Sequence, residues 1–587
     1  MRTEDGGHGG AHRSRHRRTR RRGRPLAALV AGLLLAGTGA TLATAWGLQQ
    51  GGDAPHGAAR GHAASTAPPA PHPAAQPPTA PPATAPAPVR PDRGPAADEP
   101  SPGSGAADGT DGTAGTEDTG GPRDAGAAAH PTPALPFDLP DRAALRARGK
   151  LVFAHYFTPY PLSLDNQEAG RDYYTRNYLT PHGERGKHSA YGGLLRDRPL
   201  PVPPKSGDWE LANLRQEVRT ARAAGLDGFT LDLLSLSGRN WERCRLLMEA
   251  ARSVDPDFKI MLMPDMASLR TTDARRLAAA LAELGRHPSA HRLDDGRLVV
   301  SPFKAEARGA AWWSGVLDTL RTRHGVRTAF VPLFLDYGAR HDAFAPISHG
   351  FSEWGSRSHT GQGDPGRDAR RAHRMGKIWM EPVSVQDARP NQGVYDEAGN
   401  TATLRATWNR AIEGDADWVQ LTTWNDYSEG THFAPSLHNG HAYLDLGAYY
   451  LTRFKTGEWP RITRDTLYVS SRTHLAGAAP TGGQSRLMAP RGSSAPPRDT
   501  VEVIAFLSRP ATVRATVGPT TSAHRLPAGV RTVLAPLRPG TVSAEAVRDG
   551  RTRAAVRLPY RVRGQIAVQD LQYYAATSGR DAPGCCG

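Results

Sequence analysis

Three cysteines in 587 residues exclude a disulfide-stapled scaffold and a cysteine-rich zinc or iron–sulfur protein. Cys244 falls in a helical pattern and reads as an inert buried thiol. Cys585 and Cys586 sit in the last residues, where sequence neighbours do not form a structural bridge. The chain has no H-E-x-x-H and no compact carboxylate loop, so no metal site is signalled. No glycine-rich fingerprint follows the first strand pattern, which argues against a dinucleotide fold. Gly350-Phe351-Ser352-Glu353-Trp354 lacks the second glycine of a nucleophile elbow, which excludes serine hydrolysis. Residues 47–136 hold no aromatic residue, and Leu48, Val89 and Leu135 are their only large aliphatics. Such a stretch cannot bury enough apolar area to offset chain entropy. It reads as a disordered Ala/Pro-rich linker, with polyproline II favoured in its Pro-rich half.

What the chain has in excess is positive charge, a formal +16. Residues 1–24 hold nine arginines against Glu4 and Asp5. Such a tail binds polyanions in principle, but its position points elsewhere. No charged residue occurs from Pro25 to Gly52, and the run LAALVAGLLLAGTGATLATAWGL is long enough to span a bilayer. Arginines just before it keep that end cytoplasmic. Residues 1–24 are then a basic n-region and 25–46 a signal peptide or an uncleaved signal anchor. Ala43-Thr44-Ala45 offers a small-residue cleavage site before Trp46, and Arg20-Arg21 is compatible with a twin-arginine signal. The expectation is an extracellular protein, secreted or tethered to the outer face of the cell membrane. The membrane is engaged only through this segment, nucleic acid is not a partner, and the protein is a monomer.

From Phe137 apolar runs of strand length alternate with helical patterns. Strands are predicted at Leu151–Tyr156, Gly228–Leu234, Lys259–Met263, Arg297–Phe303, Ala329–Leu335, Ile347–Ser352, Lys377–Glu381 and Trp418–Trp424. In the predicted helix 209–224, Leu211, Leu214, Val218 and Ala221 share one face. This alternation predicts an α/β fold, a (β/α)8 TIM-like barrel over 137–460, with an open doubly wound sheet as the alternative. Residues 161–207 form a long polar insertion. After Pro460 the helical period gives way to alternation, as in Val501, Val503, Ala505 and Leu507, and Asp549-Gly550 marks a hairpin. Residues 461–578 are predicted to form an accessory β-sandwich that binds carbohydrate or packs beside the barrel. Residues 579–587 are a tail.

In such a barrel the active site lies at the carboxyl ends of the strands. The residues there are His155 and Tyr156, Asp232, Asp265, Lys304, Asp336, Glu353, Glu381, Asp426 and Glu429. A lone acid after a strand is often a helix cap, the role expected of Asp336. Several converging acids fit either a divalent metal or carboxylate acid/base catalysis, and with no metal motif the second is favoured, with no cofactor required. In the window WVQLTTWNDYSEGTHFAPS, at 418–436, Asp426 and Glu429 follow a strand end three residues apart. Either they cap the loop's own N–H groups, or aromatic surroundings raise one pKa while hydrogen bonds keep the other acid ionised. Two carboxyls tuned apart are what glycoside hydrolysis requires. Tyr156, Trp354, Trp379, Trp424 and Tyr427 are candidates to stack on sugar rings, or else core. His155 and Asn425 are candidates to bond sugar hydroxyls.

The same window resembles the W-N-D-Y-G-E-S signature of glycoside hydrolase family 71, the α-1,3-glucanases or mutanases. LVFAHYF at 151–157, AAGLDGFTLDLLS at 223–235, IMLMPDM at 260–266 and WMEPVS at 379–384 resemble further strands of that family, in the same order. The resemblance implies a barrel with a β-sandwich partner and an endo-acting enzyme that hydrolyses an α-glucan substrate, α-1,3-linked glucan, with inversion. It implies Asp426 and Glu429 as the essential acids, with Asp265 lining the site. Asp232 stands where that family usually has Asn, and Glu381 where it usually has Ala, so two charges are expected near the cleavage point. Tyr427-Ser428-Glu429-Gly430-Thr431 leans toward a sister pattern, W-N-E-W-x-E-G-T, of the endo-α-mannosidase-like family 99. Two alternatives follow: hydrolysis of another α-linked wall or surface polysaccharide, mannan- or galactan-type, and a non-catalytic wall-binding protein.

Overall fold

The computed structural model describes residues 135–269 and 271–580. The readings of the basic tail, the apolar segment, nearly all of the linker, Cys585 and Cys586 lie outside the described residues. No helix among the described residues is long and apolar enough to cross a membrane.

Nine parallel strands form one curled sheet: β1 (Leu151–Tyr156), β2 (Gly228–Leu233), β3 (Lys259–Pro264), β4 (Leu298–Val300), β5 (Thr328–Phe330), β6 (Leu333–Phe334), β7 (Gly350–Glu353), β8 (Ile378–Val383) and β11 (Trp418–Leu421). Their order is β5-β4-β3-β2-β1-β11-β8-β7-β6, consistent with a TIM-like barrel. A hairpin of β9 (Asp387–Arg389) and β10 (Val394–Asp396) leaves the sheet after β8. Along 328–334 the backbone bonds on both flanks. Val331 N donates to Val300 O at the end of β4 at 2.9 Å, and Pro332 O accepts from Ser352 N of β7 at 3.0 Å.

Side chains alternate across each strand, and this parity sorts the core into two layers. Val152, Ala154 and Tyr156 of β1, Phe229, Leu231 and Leu233 of β2, and Trp379 and Val383 of β8 face the helices. Phe153, Met261, Val299, Met380 and Trp418 fill the inner face. The helices follow the same logic. In Ala310–His324 the residues Trp313, Val316 and Leu320 are buried at i, i+3 and i+7, and Gly325 ends the helix at φ 67°. Burying each of these side chains contributes roughly 1.5–3 kcal/mol.

Beyond the parallel sheet lie β12 (Thr466–Ser471), β13 (Ala489–Pro490), β14 (Thr500–Leu507), β15 (Ala511–Val517), β16 (Thr520–Leu526), β17 (Gly529–Pro536), β18 (Val542–Arg548), β19 (Arg551–Arg557) and β20 (Tyr574–Thr577). Apart from β13, which adds to β10, they form two four-stranded antiparallel sheets, β17-β14-β12-β20 and β16-β15-β18-β19. Val503, Ala505 and Leu507 of one and Val513, Ala515 and Val517 of the other share a single apolar core. The segment before β20 is tied to a loop of the parallel sheet. Tyr573 N donates to Gln386 Oε1 at 2.8 Å, and Gln386 Nε2 donates back to Tyr573 O at 3.1 Å.

Candidate active site

Strand parity decides which strand-end residues meet. His155 shares the inner face with Phe153, Asp232 with Thr230, and Asp265 follows β3 in register with Phe303. With Asp426 and Glu429 from the turn after β11, they line one cleft of about 410 Å³ including its mouth, walled by Phe157, Phe303 and Trp354. A larger groove, about 1240 Å³ on the same measure, lies on the helical layer between Gly238–Val254 and Ala274–Gly285. Leu246, Leu284 and Pro288 line it together with charged side chains, and no strand-end acid reaches it.

The turn is built to hold its two acids. Asp426 N donates to Thr423 Oγ1 at 2.8 Å, and Asp426 Oδ1 accepts from Ser428 N at 3.0 Å and Ser428 Oγ at 2.7 Å. Part of the capping role open to Asp426 is therefore real, and it coexists with a place in the cleft. Glu429 O accepts from Ala388 N at 2.8 Å, and Glu429 Oε1 lies 2.5 Å from Arg389 Nη1. Glu429 keeps 17 % of its side chain exposed, at the open side of the cleft. Gly430 follows at φ +65°.

Burial pushes the proton affinity of both acids up, while Arg389 opposes the shift, and charge on Asp426 adds to the rise at Glu429. Two such neighbours share protons as a pair. Asp265 is pushed up to about 7 by burial and by Asp232, against hydrogen bonds from Ser268 Oγ at 2.6 Å and Ala267 N at 2.7 Å. Burial also raises Asp232, whose Oδ1 has no hydrogen-bond partner among the described residues. Asp232 Oδ2 lies 3.6 Å from His155 Nε2. Burial lowers His155 to about 4, so the ring is neutral near pH 7, with Nδ1 3.2 Å from Met263 Sδ and its edge against Trp354. Among the described residues, no group of three or more His, Cys, Asp or Glu is placed to hold a metal ion.

Six of the eleven predicted site residues do not line the cleft. Tyr156 has the parity of Val152 and Ala154, so its hydroxyl goes outward to Glu217 Oε2 at 2.9 Å. Trp424 Nε1 donates to the same carboxyl at 3.4 Å. Trp379 and Glu381 share the helix-facing side of β8. Trp379 Nε1 donates to Glu381, and Arg410 Nε donates to Glu381 Oε1 at 2.6 Å. The charge of Glu381 is thus absorbed by a helix arginine and is not added to the cleft. Asn425 braces the loop, donating to Phe157 O at 3.0 Å and Tyr160 O at 2.8 Å. Tyr427 is buried against His432, ring centroids 4.3 Å apart. Asp336 is the expected cap, accepting from Ala339 N at 3.1 Å.

Sequence reasoning missed Arg389, Asp387, Ser428, Phe157 and Phe303. The one available signal was the alternation of Asp387 and Arg389 just after a strand, which places both on one face of β9.

The model of glycosyl hydrolase family 71 matches residues 204–579. A mutanase of Penicillium rubens is 25% identical over 372 residues, covering 59% of this chain and 80% of that protein. A glucan endo-1,3-α-glucosidase of Schizosaccharomyces pombe is 26% identical over 381 residues, covering 59% of this chain and 86% of that protein. Among solved structures, a family 99 endo-α-mannosidase from Bacteroides thetaiotaomicron aligns with a TM-score of 0.41 at 15% identity, over 52% of this chain and 97% of that one.

Proposed function

Because this chain belongs to glycosyl hydrolase family 71, we propose that it is an endo-acting hydrolase of α-1,3-glucan whose acid/base pair is Asp426 and Glu429. The observation that carries the reading is their place on one turn, facing one cleft with Asp232, Asp265 and His155. The substrate is supported by the names of the mutanase and the endo-1,3-α-glucosidase. Whichever carboxyl of the pair holds the proton donates it to the glycosidic oxygen as the bond from C1 breaks. The ionised one takes a proton from a water, which adds to C1 from the opposite face and inverts the anomer. Neutral His155 and the carboxyl of Asp232 serve sugar hydroxyls, and Trp354 and Phe303 exclude water. No step needs a cofactor.

The remaining assignments belong to the same proposal. Hydrogen bonds on both flanks of residues 328–334 support a complete (β/α)8 ring over 137–460, with 461–578 as an accessory β-sandwich. Export, with secretion or tethering at the outer membrane face, rests on the sequence of residues 1–46. The chain is taken to act as a monomer.

Asp426→Asn and Glu429→Gln test the pair. Each is expected to lower reducing-end release from α-1,3-glucan by roughly 10²–10⁴-fold with the thermal melt unchanged. Full activity in either variant rejects the assignment. Anomer-resolving NMR should show β-configured ends first, and α-configured ends would replace inversion by retention.

A further inference from the structure

Positive charge is concentrated in a stretch that contributes no residue to the cleft. Between Arg509 and Arg563, eleven arginines stand against Glu545 and Asp549 alone. The sheet β16-β15-β18-β19 turns Val513, Ala515, Val517, Val542, Ala544 and Ala546 inward to the shared core. Residues of the opposite parity face outward. Arg514 lies across from Ala523 and Glu545, Arg525 across from Thr512, and Arg557 across from Ser543. All three arginines are exposed. Glu545, the acid of this face among the described residues, already accepts from Arg514 Nη1 at 3.0 Å and from Thr552 Oγ1 at 3.4 Å. Hydroxyls alternate with the charges, Thr516 and Thr521 lying 2.9 Å apart. Four strands spread this pattern over ~14 Å.

No aromatic residue stands at the outward positions 512, 514, 516, 521, 523, 525, 543, 545, 547, 552, 555 and 557. The face therefore lacks the platform that stacks neutral pyranose rings or bases. It also offers no helix or ribbon to enter a duplex groove. Guanidinium forks pair bidentately with carboxylates, and threonine hydroxyls suit the remaining hydroxyls of a sugar chain. We infer that this outer sheet face is a docking surface for an acidic polysaccharide, a linear chain bearing carboxylates, which holds the enzyme on its matrix while the cleft works on glucan.

The test uses the full chain and polygalacturonate as the probe, with neutral α-1,3-glucan and duplex DNA as comparisons. Co-sedimentation with immobilised polygalacturonate should weaken steeply from about 50 to about 300 mM salt, as the Debye length shrinks. Arg514→Gln/Arg525→Gln/Arg557→Gln should lower that retention at least about tenfold, with an unchanged melt and unchanged hydrolysis of soluble glucan fragments. Glu545→Gln removes the opposing charge and should tighten retention. Absence of retention, equal retention of the triple variant, or tighter binding of duplex DNA overturns the proposal. Because hydrolysis is read separately, failure here leaves the catalytic reading intact, and an inactive Glu429→Gln enzyme should still be retained.

Discussion

Arg389 bridges two acids of different standing: its Nη1 lies 2.5 Å from Glu429 Oε1 in the cleft, and its Nε donates to buried Asp387 Oδ1 at 2.7 Å. Asp387 is held well below the usual carboxylate range by Arg389, with Arg491 3.3 Å and Arg357 3.8 Å away. One guanidinium therefore serves a permanent anion and the carboxyl to which the proposed mechanism assigns proton exchange. Because much of its charge already answers Asp387, it orients Glu429 without locking it ionised. Burial can then keep that proton affinity high.

Arg389→Lys should expose this balance. A lysine is a point charge and cannot bridge both carboxyls in a fixed fork. Arg389 stabilises the ionised forms of Glu429 and Asp426, so weakening it raises both proton affinities. Both limbs of the pH–rate profile should move to higher pH, by about one unit, with a lower maximum. A profile that falls in height without moving would assign Arg389 to packing alone.

Much of the fold was legible because strand and helix periods are local. The helix predicted over 209–224 spans Trp209–Ala223 in the structure, and the first strand keeps its predicted bounds, Leu151–Tyr156. The lining of the cleft was legible where a residue sits on the inner parity of its strand, as His155 and Asp232 do. Tyr156 and Glu381 were misplaced because both stand at strand ends, and position along a strand does not say which face a side chain takes. Their parity with Val152 and with Trp379 carried the missing information. Arg389 was not foreseen because it belongs to a short hairpin with no period of its own, and its partner Glu429 is forty residues further along the chain.

That correction makes a paired prediction. Glu381→Gln takes a charged acceptor from Arg410 Nε and Trp379 Nε1, while Arg410 Nη2 keeps its bond to Asp368 Oδ2 at 2.9 Å. It should lower stability by about 1.5–3 kcal/mol and leave kcat per folded molecule unchanged. Asp265→Asn should do the reverse, lowering kcat/KM on α-1,3-glucan with little change in the melt. A kcat loss in Glu381→Gln at temperatures well below its melt would return Glu381 to the site.

Glu217 tests the layer behind the cleft. Burial pushes its carboxyl up to about 7, despite hydrogen bonds from Tyr156 and Trp424. Its ordinary value is near 4.5, so the folded state holds a proton that the unfolded chain has lost. The stability it contributes is complete below about pH 4.5 and declines as pH rises to about 7. The decline amounts to roughly 3 kcal/mol. Glu217→Gln has no proton to lose, so its melting temperature should fall less steeply than the wild type's between these pH values. Parallel slopes would show that Glu217 is ionised in the folded protein.

Gly430 decides how firmly the acid turn is seated. Its φ of +65° lies in the left-handed region, and a Cβ there would meet Gln572 Nε2 at 2.4 Å. The amide end of Gln572 can swing aside, so the backbone conformation is the larger cost of Gly430→Ala, about 1–2 kcal/mol. The segment carrying Gln572 cannot move as freely, being held at Tyr573 by Gln386. Strain is then relieved on the other side, by a shift of the turn that carries Glu429. The variant should lose a few degrees of melting temperature and a larger share of kcat, with KM less affected. Adding Gln572→Ala removes the contact but not the positive φ. It should restore part of the activity and little of the stability, and full recovery of both would make the contact with Gln572 the whole effect.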